Sequence, residues 1–152
     1  MEWNEILELI YYAYRIYPYG PPKIRAVKKS PKLYLWDWSE IQSPGARFEN
    51  MIAGHLLQYC YFIEDTEGHQ MELRFLRDTD LREIDFVVLK NKAPLFAVEC
   101  KTGESHISKH IYYYRDRTKI PKFYQIHLGS KDYTDGNCRV LPFEKFCELE
   151  KI

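Results

Sequence analysis

Four residues of this chain have the types and spacing to act on a charged substrate: Asp85, Glu99, Lys101 and, upstream, Glu49. Residues 82–101, Arg-Glu-Ile-Asp-Phe-Val-Val-Leu-Lys-Asn-Lys-Ala-Pro-Leu-Phe-Ala-Val-Glu-Cys-Lys, read as two apolar strands joined by a turn at Asn91-Lys92. Side chains alternate across a strand, so Glu99 and Lys101 share one face, roughly 7 Å apart, while Val98 and Cys100 point to the other. Antiparallel pairing about residues 91 and 92 brings Asp85, near the start of one arm, close to Glu99, near the end of the other. Two carboxylates on an otherwise apolar sheet repel and lose hydration, at a cost on the order of several kcal/mol unless a cation lies between them. A divalent ion meets that need. A surface ion-pair cluster of Asp85, Glu99 and Lys101 at a sheet edge meets it too, and the hairpin alone leaves both open.

The elements that must position these residues follow from periodicity. Phe48, Ile52, Leu56 and Tyr59 form one stripe of a helix over residues 45–60, with Ser43 as a candidate cap before Pro44-Gly45. Glu49 stands at the edge of that stripe, since its neighbours three, four and seven residues on are Ile52, Ala53 and Leu56. There it either faces the sheet and joins the metal site or serves as a first-turn acid favoured by the helix dipole. Strands are expected at 33–38, 71–77, 84–89, 93–100, 122–128 and 138–141, with helices over 105–117 and 143–149. From residue 45 the order is αβββαβ, an α/β (α+β) fold with a mixed sheet flanked by helices.

Residues 2–17 carry Trp3, Ile6, Ile10, Ala13, Tyr14 and Tyr17 at three- and four-residue spacing, which predicts an amphipathic helix with an aromatic face. Such a face needs a partner, and a second copy of the chain in a homo-oligomer is one way to supply it. Between Lys23 and Lys32 stand five basic residues, Lys23, Arg25, Lys28, Lys29 and Lys32, and no acid. They read either as a solvated linker or as a phosphate-backbone contact. The chain therefore divides into residues 1–29, an amphipathic helix and basic connector, and a domain over 30–152.

Composition narrows the rest. The 152 residues carry 22 Lys+Arg and 22 Asp+Glu, so a nucleic-acid partner has to be argued from local patches and not from net charge. Cys60, Cys100, Cys138 and Cys147 form no CxxC pair, which fits a reduced, cytoplasmic setting better than a zinc ribbon or a disulfide framework. No run approaches the ~20 apolar residues of a membrane span. His106 and His110 have zinc-compatible spacing, yet Ile107 stands where a zinc protease needs Glu. Around them Lys109, Tyr112, Tyr113, Tyr114, Arg115, Arg117 and Lys119 interleave aromatics with base, a pattern that can stack on bases and grip phosphates. Lys109, Tyr113 and Arg115 are the candidate contacts there.

Glu49 on a helix, Asp85 on one strand and Glu99-x-Lys101 on the next resemble the PD-(D/E)XK nuclease superfamily, whose fold is that of restriction endonucleases. Ile84 replaces the Pro of the motif's name. The longer wording Lys32-Leu-Tyr-Leu-Trp-Asp-Trp-Ser39, Ala46-Arg-Phe-Glu-Asn50, Leu73-Arg-Phe-Leu-Arg-Asp78, Arg82-Glu-Ile-Asp-Phe86 and Val98-Glu-Cys-Lys101 resembles the C-terminal domain of unknown function of prokaryotic AAA-type ATPases, over about residues 30–141. The sequence has no G-x-x-x-x-G-K-[ST] loop, so the resemblance implies an ATPase module acting in trans or on a longer chain. It further implies Mg²⁺ or Mn²⁺ held by Asp85, Glu99 and the backbone carbonyl of Cys100. Lys101 would position a water or stabilise developing charge, and Glu49 would orient a water or bind a second ion. The substrate so implied is a nucleic-acid phosphodiester, DNA favoured.

Overall fold

The computed structural model describes residues 2–21 and 30–152. Among them are four α-helices and an eight-stranded mixed sheet, the α+β architecture expected from the order of elements. In chain order they are α1 (Trp3–Leu9), β1 (Ala13–Pro18), β2 (Lys32–Leu35), a 3₁₀ turn (Trp38–Glu40), α2 (Pro44–Glu67), β3 (Met71–Arg77), β4 (Glu83–Lys90), β5 (Ala93–Cys100), α3 (Lys109–Arg115), β6 (Phe123–His127), β7 (Tyr133–Asp135), β8 (Cys138–Pro142) and α4 (Phe143–Glu150). The sheet runs β2-β1-β3-β4-β5-β6-β8-β7. Its middle is the antiparallel β3-β4-β5 meander, and β5-β6-β8 continue it in parallel.

Each face of the sheet has its own core. On one, Phe48, Ile52, Leu56 and Cys60 of α2 and Phe146 of α4 pack against Phe75, Phe86, Val88, Phe96, Val98 and Ile126. On the other, Ile111 and Tyr114 of α3 cover Leu76, Ile84, Val87, Leu89, Ala97 and Phe123. Helix α2 opens with Pro44 in the first turn, where its missing N–H is harmless; Ser43 before it is extended but makes no side-chain capping bond, and the helix runs past the expected residue 60 to Glu67, where Gly68 closes it at φ 71°.

The N-terminal reading needs correction. The spacing predicts a helix over 2–17, but the chain is helical only from Trp3 to Leu9, a segment with no buried residue, and Tyr11 at φ 55° turns it into β1. Strand β1 pairs antiparallel with β2 and parallel with β3, with Tyr14 and Ile16 buried. Tertiary pairing overrode the helical periodicity, because Tyr14 and Ile16 also satisfy the two-residue period of a strand lying between two others. This stretch is thus built into the sheet. Helix α3 is shorter than the expected 105–117: Ser108 caps it by accepting the His110 N–H at 3.2 Å, and the buried Gln125 amide holds residues 105–108 out of the helix through Ser108 N and the carbonyls of Ser105 and His106. Strand β7 was not foreseen in the sequence.

Candidate functional site

The site begins at a tight loop. Asp78, buried, accepts the N–H groups of Asp80 and Arg82 at 3.0 and 2.9 Å and the Arg82 Nε at 2.7 Å, which reverses the chain into β4. Strand β4 then departs from simple alternation. In the ladder with β3, Arg74 lies opposite Val87 and Leu76 opposite Ile84, so Phe75 faces two residues, Asp85 and Phe86. This β-bulge turns two consecutive side chains to the α2 face. The ladder to β5 starts only at Phe86 opposite Val98, and beyond it the Asp85 Oδ2 accepts the Cys100 N–H at 2.8 Å. The Asp85 carboxylate thus sits where β4 and β5 part.

Three acids converge on the α2 side of that opening: carboxylate oxygens of Glu49, Glu83 and Asp85 all lie within 4.8 Å of one another. A lysine is already among them. Lys32 Nζ donates to Glu49 Oε1 at 2.8 Å and to Glu83 Oε1 at 2.6 Å, while Tyr34 donates its hydroxyl to the same Glu49 oxygen at 2.7 Å. Arg77 binds the other oxygen of Glu83 through Nε at 2.6 Å. Asn50 fixes the strand that carries Lys32, since its amide accepts from Leu35 N at 2.9 Å and donates to Leu35 O at 2.7 Å.

Alternation from Ala97 puts Glu99 on the α3 side, with Lys101 Nζ 3.2 Å from its Oε1. Glu99 Oε2 is buried and has no hydrogen-bond partner among the described residues. Burial, then the charges of Glu99 and Glu49, push the Asp85 carboxyl well above the usual carboxylate range. Burial raises Glu99 as well, against the opposing pull of Lys101. Glu83 behaves differently: burial works to raise it, but the hydrogen bonds and charges of Lys32 and Arg77 outweigh that and hold it low. Lys32 is raised, the penalty of burial being overcome by Glu49 and Glu83.

At this end of the β4-β5 hairpin Glu49 and Asp85 lie together on the α2 side of the sheet, while Glu99 and Lys101 lie on the α3 side. The basic and aromatic candidates lie apart. Tyr113 is clamped between the guanidinium groups of Arg82 and Arg117, at 3.9 and 4.0 Å from its ring centroid, and Arg115 leans on the Tyr112 ring and reaches the Asp135 carbonyl at 3.4 Å. Both side chains are engaged within the protein; Lys109 is exposed. Lys23, Arg25, Lys28 and Lys29 lie outside the described residues. His110 Nδ1 stands against the β4 backbone, 3.0 Å from Glu83 O and 3.3 Å from Glu83 N, in place of a zinc pairing with His106.

Sequence reasoning missed Glu83, Lys32 and Arg77 as parts of this centre. One signal was present: Glu83-x-Asp85 has the same two-residue spacing as Glu99-x-Lys101, which places both acids on one face. Lys32 could be found only from the fold, since β2 reaches the site from 51 residues away in sequence.

No helix of the described residues is long and apolar enough to cross a membrane. No curated protein and no solved structure matches the chain. A family model does, over residues 44–146, a span that opens with α2 and its Glu49, carries Asp85, Glu99 and Lys101, and ends in α4. Since that span is most of the chain, the protein belongs to the family described as a domain of unknown function, DUF4143.

Proposed function

We propose that the domain is a metal-dependent, nuclease-like module that hydrolyses nucleic-acid phosphodiesters, DNA favoured, in partnership with an AAA-type ATPase. The observation that carries the reading is the buried Glu99 Oε2, which has no hydrogen-bond partner among the described residues, at the same hairpin end as the Asp85 carboxyl that burial and the charges of Glu99 and Glu49 hold above its usual range. A cation reaching that end relieves both an orphaned buried oxygen and a disfavoured carboxylate, and hard oxygen donors suit Mg²⁺ or Mn²⁺. Asp85, Glu99 and the Cys100 carbonyl are the groups that would hold it. When bound, such an ion supplies charge neutralisation for a phosphodiester and an acidified water.

The side chains have roles of their own. Asp85 is fixed by the Cys100 N–H, so its carboxylate needs no reorganisation to meet a cation. Lys101, about a third exposed, presents an ammonium at the mouth of the site, where it can stabilise charge on a phosphate oxygen or orient a water. Glu49 is anchored by Lys32 and Tyr34 and serves as a fixed acceptor on the helix side. The link to an ATPase rests on the resemblance of residues 30–141 to the C-terminal domains of such proteins.

The test is a pair of measurements on the full chain. Calorimetric titration with Mn²⁺ is expected to give saturable heat in the wild type and none in Asp85→Ala. Fluorescently labelled single- and double-stranded DNA is expected to be cut only with Mg²⁺ or Mn²⁺ present, and not by Lys101→Ala. Equal heats from wild type and Asp85→Ala, or cleavage that survives Lys101→Ala, would sink the reading.

A further inference from the structure

Glu49 and Glu83 are two of the acids nearest Asp85, yet their inner oxygens already face a cation. Lys32 comes from the far edge of the sheet to lie between them, its Nζ 2.8 Å from one carboxylate and 2.6 Å from the other. The side chain is mostly buried, with aromatic rings of Tyr34 and Phe75 5.8 and 5.5 Å from its ammonium, so the charge is held in a dry, defined place. Two carboxylates bridged by one centred positive charge, with a third acid within 4.8 Å, is the donor arrangement of a second divalent-ion position. A cavity of about 180 Å³, lined by Lys32, Tyr34, Ile41, Ala46 and Glu49 among others but not by Glu83 or Asp85, opens on the Glu49 side of the ammonium. At roughly 30 Å³ per water it has room for a hydrated ion to approach.

Charge counting points the same way. Glu49, Glu83, Asp85 and Glu99, ionised as an ion would require, bring four negative charges, and Lys32, paired with two of them, and Arg77 and Lys101, paired with one each, bring three positive. One divalent ion makes the cluster singly positive. Two would leave an excess of three positive charges at short range in a partly desolvated site, which is strongly unfavourable.

We infer that Lys32 is a built-in surrogate for a second metal ion: its ammonium fills the position between Glu49 and Glu83 and limits the centre to one divalent ion, held on the Asp85–Glu99 side. This rests on the metal reading above. Lys32 is accordingly a positioning residue, which sets the carboxylates and excludes an ion without touching the reacting atoms. The second divalent site, made of Glu49, Glu83 and Asp85, exists in the fold and is released when the ammonium is removed.

The experiment counts Mn²⁺ per chain at saturation, by calorimetry and by electron paramagnetic resonance of the free ion. Wild type is expected to bind one, Lys32→Met two, and Lys32→Met combined with Glu83→Gln one again. An equal count of one in wild type and Lys32→Met overturns the surrogate while leaving the metal reading intact, and so does a double variant that keeps two ions. Zero ions in the wild type, whatever the variants bind, overturns the metal reading and this inference with it. Lys32→Gln, which keeps donors to both acids without the charge, guards against misfolding. It and Lys32→Met are followed by circular dichroism with and without Mn²⁺. Rescue of a weakened fold by Mn²⁺ in the variants alone supports the exchange of ammonium for ion; failure of both variants to fold even with Mn²⁺ overturns it.

Discussion

Glu83 and Asp85 are two residues apart on one strand, turn to the same face of the sheet, and are pushed in opposite directions. Burial works against the charged form of both. Glu83 meets Lys32 and Arg77 and is held as a carboxylate, while Asp85 meets one backbone N–H and the repulsion of Glu99 and Glu49 and is driven toward its neutral form. The difference teaches that partners, more than depth, decide which acid of a cluster is structural and which is left in need of a cation. The well-paired half of the centre is held as charged carboxylates; the less-paired half is where the proposed ion would bind.

The comparison breaks most visibly in the signs of two substitutions. Glu83→Ala strands Lys32 and Arg77 with fewer partners in a partly buried place and is expected to lower stability by about 2–3 kcal/mol. Asp85→Asn removes a buried repulsion and is expected to leave metal-free stability unchanged or raise it by about 1–2 kcal/mol. Urea unfolding of the two variants in a chelator checks both, and losses of equal size would erase the distinction.

Acidity gives the next effect. A carboxyl raised by folding, as Asp85 and Glu99 are, contributes stability that is full below its unfolded value near 4 and is lost as pH rises through the folded value. One lowered by folding, as Glu83 and Asp132 (about 2) are, contributes stability present above its unfolded value and lost as pH falls toward the folded one. Metal-free protein should therefore gain thermal stability as pH drops from neutrality toward about 4 and lose it in stronger acid. Asp85→Asn should flatten the gain and spare the acid loss. Saturating Mn²⁺ should also remove the gain, since protons and metal compete for the same oxygens.

The smallest change sharpens the comparison as a control. At the far end of the hairpin Asn91 and Lys92 both have positive φ, 51° and 67°, in a two-residue turn between Lys90 and Ala93. Lys92→Gly suits that backbone and is expected to add roughly 0.5–1 kcal/mol, seen as a higher urea midpoint. Mn²⁺ heats should not move, because this turn is at the other end of both strands.

Much of this was legible in residues 82–101. Local alternation and a turn dipeptide suffice to pair β4 with β5, and the two-residue spacing of Glu99 and Lys101 puts them side by side. The helix carrying Glu49 was equally plain from its stripe and from Pro44 at its start, though its last turns, to Glu67, were not read. What could not be read was set by long-range pairing. The bulge at Asp85 and Phe86 depends on how β3 registers against β4, and Lys32 enters the centre only because β2 joins the sheet through β1. The misread N-terminal stretch has the same origin: Ala13, Tyr14 and Tyr17 fit a helical stripe while Tyr14 and Ile16 fit a strand, and the open edge of β3 decides between them.

The Asn50 amide has a consequence beyond holding β2 in place. Among the described residues strand β2 ends the sheet, and an edge strand offers unpaired N–H and C=O groups that can recruit another chain. By binding both backbone groups of Leu35, the amide imitates a neighbouring strand. The helix that delivers Glu49 to the centre therefore also protects the protein against edge-to-edge aggregation, and a chain that lost Asn50 would trade a closed border for a sticky one.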